Sequence, residues 1–168
     1  RYIGVLLKYD ENDTKWQSRI ENPKAKRAAS GEKIRLGLIG AGNFVRSTML
    51  PIMKETGLFE FRGLATTGGV GGAQANDGTP FGYTTNNYQE LLSDPEIDLI
   101  AVSTQHNSHA KFVIEALKAG KHVYCEKTMA ATYEEGLDLV NLARERGLRL
   151  GATPDTFLGG GFQTCRKL

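Results

Sequence analysis

The chain has 168 residues, enough for one domain of ordinary size with its own core. Hydrophobic residues make up 40%, charged residues 24%, and the mean hydropathy is −0.34, which excludes a disordered tail. A net charge of +2 without a basic stripe excludes a nucleic-acid partner, and no apolar run nears the ~20 residues that span a membrane.

The chain opens on Arg1 with no basic-then-apolar leader and stops at Leu168, so a piece of a longer protein is expected. Cys125 and Cys165 lack metal-ligand spacing. Without an export signal they are expected to be free thiols in a cytoplasmic protein, and no metal site is expected.

In chain order, Arg1 to Leu7 reads as a short strand, and the polar, charged run Lys8 to Lys33 reads as a linker. Ile34 to Ile39 is an apolar run ending in Gly40, the pattern of a buried parallel strand. A helix is expected from about Asn43 to Thr56, stopped by Gly57. Pro51 inside it predicts a kink or a later start. Phe59 to Thr66 is the next strand. Thr67 to Pro80, rich in glycine, holds at most a weak helix, and Phe81 to Thr84 forms a short strand. Asn87 and Glu90 have the spacing of a capping box for a short helix ending before Asp94-Pro95.

Ile97 to Ser103 is nearly all apolar and reads as a strand. The helix His106 to Ala119 carries Ala110, Val113, Ala116 and Leu117 on one face and stops at Gly120. His122 to Cys125 is a further strand. Thr132 and Glu135 form a second capping box. The helix behind it places Tyr133, Leu137, Val140 and Ala143 on one stripe and stops at Gly147, before a last strand from Leu148 to Ala152. Strands alternating with helices predict an α/β fold with a doubly wound parallel sheet, whose ligands bind beyond the carboxyl ends of the strands.

Three loops at that edge carry chemistry. Gly40-Ala41-Gly42-Asn43-Phe44-Val45 departs from G-x-G-x-x-G only at Val45. Gly40 permits a tight turn, Gly42 lets the backbone approach a diphosphate, and the helix start at Asn43 and Phe44 offers N–H groups to it. An acid is expected about 20 residues on, at the end of the next strand. Glu60 lies near the start of that strand instead, and the end reads Leu64-Ala65-Thr66-Thr67-Gly68. Thr66, Thr67 and the Gly68 to Gly72 backbone tolerate a ribose 2′-phosphate, although no arginine follows to bind it. NAD or NADP is therefore the expected cofactor. The second loop, Ser103-Thr104-Gln105-His106-Asn107-Ser108-His109, enters a helix beside that site, with His109 read either as a cofactor contact or as a packing residue.

In the third loop, Lys121-His122-Val123-Tyr124-Cys125-Glu126-Lys127, a strand ends in an acid and a lysine. A lysine there can hold a substrate oxygen and stabilise charge developing on it, while Glu126 orients Lys127 or the ribose. A plain surface Glu-Lys pair is the alternative.

Taken together, Gly40 to Phe44, Ser103-Thr104 with His109, Ala119 to Val123 and Glu126-Lys127 resemble the Gfo/Idh/MocA oxidoreductases, from about Lys33 to Leu168. The resemblance implies an N-terminal Rossmann domain, here residues 33–152, after an upstream strand and linker, residues 1–32. Residues 153–168 would begin a second α/β domain, truncated here, through which a homo-oligomer can form. It implies hydride transfer between NAD or NADP and a sugar, cyclitol or related polyol, with Lys127 as the catalytic or substrate-holding lysine. Thr128 stands where the family's Glu-Lys-Pro motif has proline, and the family's proton-transferring histidine would lie beyond Leu168. The alternative is a regulatory dinucleotide-binding module without turnover.

Overall fold

The computed structural model describes residues 18–22, 25, 31–67, 81–153 and 159–167. The strand expected at Arg1 to Leu7, the Gly68 to Gly72 loop and most of Thr67 to Pro80 lie outside these residues.

Seven strands form one sheet: β1 (Arg19–Glu21), β2 (Ile34–Ile39), β3 (Phe59–Ala65), β4 (Tyr83–Thr85), β5 (Leu99–Val102), β6 (His122–Glu126) and β7 (Leu150–Thr153). Their spatial order is β1-β4-β3-β2-β5-β6-β7, and β2 to β7 pair in parallel. The chain builds outward from β2 in one direction and then returns to start again at β5. The order therefore reverses between β2 and β5, and this switch point opens the crevice of a doubly wound sheet.

The linker expectation is corrected at one place. β1 pairs antiparallel with β4, Arg19 opposite Thr85 and Glu21 opposite Tyr83. Two charged residues flank a single isoleucine there, a composition that an edge strand tolerates and that hides it among loop residues.

The helices are α1 (Leu50–Thr56), α2 (Gln89–Ser93), α3 (His109–Lys118), α4 (Tyr133–Glu145) and α5 (Gly160–Lys167). None of the described helices is long and apolar enough to cross a membrane. A π-helical turn, Val45–Met49, leads into α1. Pro51 sits in the first turn of α1, directly after the π turn, at the break in hydrogen-bond pattern where a residue without an N–H is tolerated. A single 3₁₀ turn, His106–Ser108, leads into α3.

The two sheet faces carry separate cores. Leu36, Leu38, Leu64, Phe81 and Ala101 pack with Val45, Met49 and Leu50 on one face. Ile39, Ile100, Val102, Val123 and Cys125 pack with Leu91, Val113, Leu117, Leu139 and Ala143 on the other. Burial pushes the Cys125 thiol up to about 12, with Glu126 adding to the effect, so it stays protonated at neutral pH.

Two sequence expectations about helices change. Glu135 and Thr132 make the capping box at α4 as predicted. Asn87 and Glu90 do not make theirs as a reciprocal pair: Asn87 Oδ1 accepts from the Gln89 N–H at 3.2 Å, but the Asn87 N–H donates to Thr85 Oγ1 at 2.9 Å, and the Glu90 carboxylate accepts from Ser18 Oγ at 2.6 Å. On α4 the buried stripe runs through Leu139 and Ala143, while Tyr133 is 79% and Leu137 45% exposed. Gly136 faces the Ala130 methyl from this buried side and has no side chain to register in an apolar pattern.

Below the sheet, Arg35 grips Asp98 through Nε and Nη2 at 2.9 and 2.6 Å, and its backbone N–H donates to the same carboxylate at 3.0 Å. The guanidinium hydrogen bond holds the Asp98 carboxyl below its ordinary range against the opposing effect of burial. Both side chains are about one-third exposed, at 32% and 38%, so screening limits the pair to about 1 kcal/mol. The folded carboxyl binds its proton less readily than the unfolded one. The stabilisation is thus present above the ordinary Asp range and lost as pH falls through the folded value. Asp98→Asn should be about 1 kcal/mol less stable than the parent at pH 7, with the gap closing below about pH 4. Urea melts at both pH values check this, and a gap that persists in acid contradicts it.

Candidate dinucleotide site

At the switch point the chain leaves β2 through Gly40, whose φ of 97° lies in the left-handed region. A Cβ there would stand 2.3 Å from the Ser103 carbonyl oxygen and 3.1 Å from Thr104 Cγ2. Only glycine fits both the conformation and the contact. The turn is pinned from both sides: Gly40 N–H donates to the Ala65 carbonyl, and Ser103 N–H to that of Ile39, each at 2.9 Å.

Gly42 is the reverse case, with no atom within 4 Å of where its Cβ would be. Its open side keeps the backbone bare. Among the described residues, the N–H groups of Ala41 and Gly42 have no acceptor. The N–H groups of the following helical turn also lack intrahelical partners by geometry. The Asn43 side chain is turned to Arg46, whose Nη2 donates to Oδ1 at 2.9 Å, and the Asn43 carbonyl accepts from Ser47 Oγ.

Above this turn lies a cleft of about 820 Å³. Gly40 and Gly42 line it where β2 ends, Thr66 and Thr67 where β3 ends, and Ser103, Thr104 and Gln105 where β5 ends. Sequence reasoning did not assign Asn86, Tyr88 and Phe112, which also line it. Phe112 follows Ser108 by four residues and so shares its helix face, a signal available in the spacing. Asn86 and Tyr88 follow β4, and their place depends on a strand pairing that no local pattern encodes.

The other predicted residues lie outside the cleft lining. Phe44 is 48% exposed at the helix start. His106 is exposed, with its ring 5.6 Å from that of His109. His109 is 1% exposed, with Nδ1 2.7 Å from the Thr128 carbonyl and Nε2 3.1 Å from that of Thr104. It is not a cleft wall but a tie between the loops after β5 and β6. Thr104 is held further by the Ser108 hydroxyl at 2.7 Å.

Glu126, half-buried, accepts from Tyr124 O–H at 2.8 Å, and Lys127 is exposed just past the end of β6. The Lys127–Thr128 peptide is cis. Lys121 is a different matter. It is 8% exposed, with Nζ donating to the Asp94 and Ile97 carbonyls at 2.6 and 2.8 Å, and burial pushes its pKa down.

A bare glycine turn beneath a cleft at a sheet's switch point defines a Rossmann unit, and these residues fit a dinucleotide diphosphate. The profile of an oxidoreductase family with NAD-binding Rossmann fold matches residues 34–153, and the chain belongs to this Gfo/Idh/MocA family. A 1,5-anhydro-D-fructose reductase from Ensifer adhaerens is 36% identical over 117 residues, which cover 70% of this chain and 35% of that protein. The NADP(+)-dependent scyllo-inositol 2-dehydrogenase of Bacillus subtilis is 27% identical over 82% of this chain and 37% of its own. The chain thus spans about a third of the length of these relatives.

Two solved structures are similar. Biliverdin reductase from Synechocystis, bound to biliverdin and NADP⁺, has a TM-score of 0.73 and 30% identity, covering 80% of this chain and 42% of that one. A 3-ketoreductase from Actinomadura kijaniata, with NADP and TDP-benzene, has a TM-score of 0.69 and 28% identity, covering 72% and 37%.

The two glycines predict opposite outcomes. Gly42→Val should keep its thermal stability within about 0.5 kcal/mol and lose at least about tenfold in NADPH affinity. Gly40→Ala should itself destabilise the fold by about 2 kcal/mol. Melting curves beside NADPH titrations check both.

Proposed function

We propose that the chain is the dinucleotide-holding part of an oxidoreductase that moves a hydride between NAD or NADP and a CH–OH carbon of a sugar, cyclitol or related polyol. The observation that carries this reading is the bare turn at Gly40 to Gly42 under the switch-point cleft. The sugar and cyclitol chemistry named for the two curated relatives supports the substrate class.

A bound nicotinamide supplies the hydride acceptor or donor. The chain's own residues bind and orient. The Ala41 and Gly42 amides hold the diphosphate without a charged side chain. Thr66 and Thr67 stand where an NAD-specific acid would repel a 2′-phosphate, so NADP is favoured, in keeping with the NADP in both solved relatives. Ser103, Thr104 and Gln105 form the opposite wall, fixed through His109. Lys127 is the catalytic residue: its ammonium holds the substrate oxygen and stabilises negative charge there. Glu126, engaged by Tyr124, fixes the strand end from which Lys127 projects. The proton falls to a second-domain histidine, as the family resemblance implies, and a homo-oligomer through that domain belongs to the same proposal.

The test is a fluorescence titration of the chain with NADPH and NADH, followed by turnover of the whole protein on a panel of sugars, cyclitols and polyols. Saturable binding, tighter for NADPH, is expected. Lys127→Ala should lower kcat by at least about 10²-fold while the dinucleotide Kd stays within about twofold. Absence of saturable binding would overturn the reading, and binding without turnover on any substrate would favour the regulatory module.

A further inference from the structure

The family unit begins at residue 34, yet the sheet that carries its cleft has a strand from farther upstream. β1 makes specific contacts with β4 and the loop after it. Asn86 N–H donates to the Ser18 carbonyl at 2.9 Å, and Asn22 N–H to the Gly82 carbonyl at 2.8 Å. The Asn22 side-chain amide adds a bond to the Phe81 carbonyl at 3.0 Å. Ser18 Oγ reaches Glu90 at the start of α2, and the Arg19 guanidinium lies 3.5 Å from the centre of the Tyr83 ring.

What β1 grips is a wall of the cleft. β4 has three residues, and its other edge fixes the end of β3, where Thr66 N–H donates to the Thr85 carbonyl at 3.0 Å. Thr66, Thr67, Asn86 and Tyr88 all line the cleft. In a Rossmann unit this strand end is where the adenosine ribose lies. Without β1, β4 would be a three-residue edge strand with its loop tied down on one side only, the kind of element that opens locally.

We propose that residues 18–22, which lie outside the family unit, are a positioning strand for the adenosine end of the dinucleotide cleft. None of them touches the nucleotide. They act through Asn86, bonded to Ser18, and through β4, whose Thr85 carbonyl holds the Thr66 N–H. This inference rests on the proposed dinucleotide function. It predicts a defect confined to one half of the ligand, because the diphosphate turn is pinned separately by β3 and β5.

The test is Ile20→Pro in the whole chain, which removes an N–H from the middle of β1 at a side chain that is 65% exposed. Ser18→Ala, which cuts the Glu90 contact but leaves the strand, is the milder companion. NADPH affinity should fall about tenfold in Ile20→Pro and by a smaller factor in Ser18→Ala, with Ser18→Thr restoring it. Affinity for reduced nicotinamide mononucleotide, which lacks the adenosine half, should stay at the parent value in all three. The free protein's amide resonances of Thr66, Asn86 and Tyr88 should move in Ile20→Pro, while those of Ala41 and Gly42 hold still. NADPH affinity equal in parent and Ile20→Pro overturns the strand's role alone. An equal loss for both ligands makes it a general structural support and overturns the proposal as well. A parent chain that binds no NADPH would instead overturn the functional reading beneath it.

Discussion

At the switch point between β2 and β5, the backbone of Gly40 passes so near the Ser103 carbonyl that a Cβ would lie 2.3 Å from the oxygen. This approach is possible because Gly40 takes a positive φ and because β3 and β5 fix the two sides of the turn by main-chain bonds. It brings the chain over the strand ends, leaves Gly42 open to the cleft, and aims the helix start at the same space. The walls follow from it. Thr66 and Thr67 stand at the end of the neighbour on one side, and Ser103 to Gln105 on the other. His109 carries the arrangement one strand farther by bridging the Thr104 and Thr128 carbonyls.

Two lysines six residues apart show how differently one side chain can be used. The Lys121 ammonium fills a nearly dry position between the Asp94 and Ile97 carbonyls, where removing it would take the donor from the Ile97 carbonyl and leave that of Asp94 only the Ile97 N–H. It closes the end of the sheet opposite the cleft. Lys127 follows the carboxyl end of the same strand, exposed, on the cleft side. β6 is therefore preceded by a structural lysine and followed by the one to which the proposed reaction assigns the substrate oxygen. The buried group beside it, Cys125, is a packed thiol held protonated by its surroundings.

Much of this was legible locally. The apolar run into Gly40, the glycine-ended helices and the Thr132–Glu135 capping box are written in neighbouring residues, and the structure repeats them. So is the floor of the cleft, because a glycine turn between strand and helix has a local cause. What escaped reading depends on contacts distant in sequence. β1 was hidden because Arg19-Ile20-Glu21 has the composition of a solvated loop and becomes a strand only against β4. The Glu90 carboxylate makes no capping bond because Thr85 Oγ1 takes the Asn87 N–H and Ser18, far upstream, offers Glu90 a hydroxyl. The stripe on α4 was misplaced because Gly136 adds nothing to an apolar pattern, although it faces inward. For His109 the sequence leaves cofactor contact and packing residue both open, and only the fold shows both ring nitrogens turned to main-chain carbonyls.

The most direct measurement of the account is a crystal structure of this chain grown with NADP⁺. The account predicts the diphosphate oxygens within about 3 Å of the Ala41 and Gly42 amides, with the adenosine toward Thr66 and Asn86. A nucleotide seated elsewhere, with those amides facing only water, would contradict it.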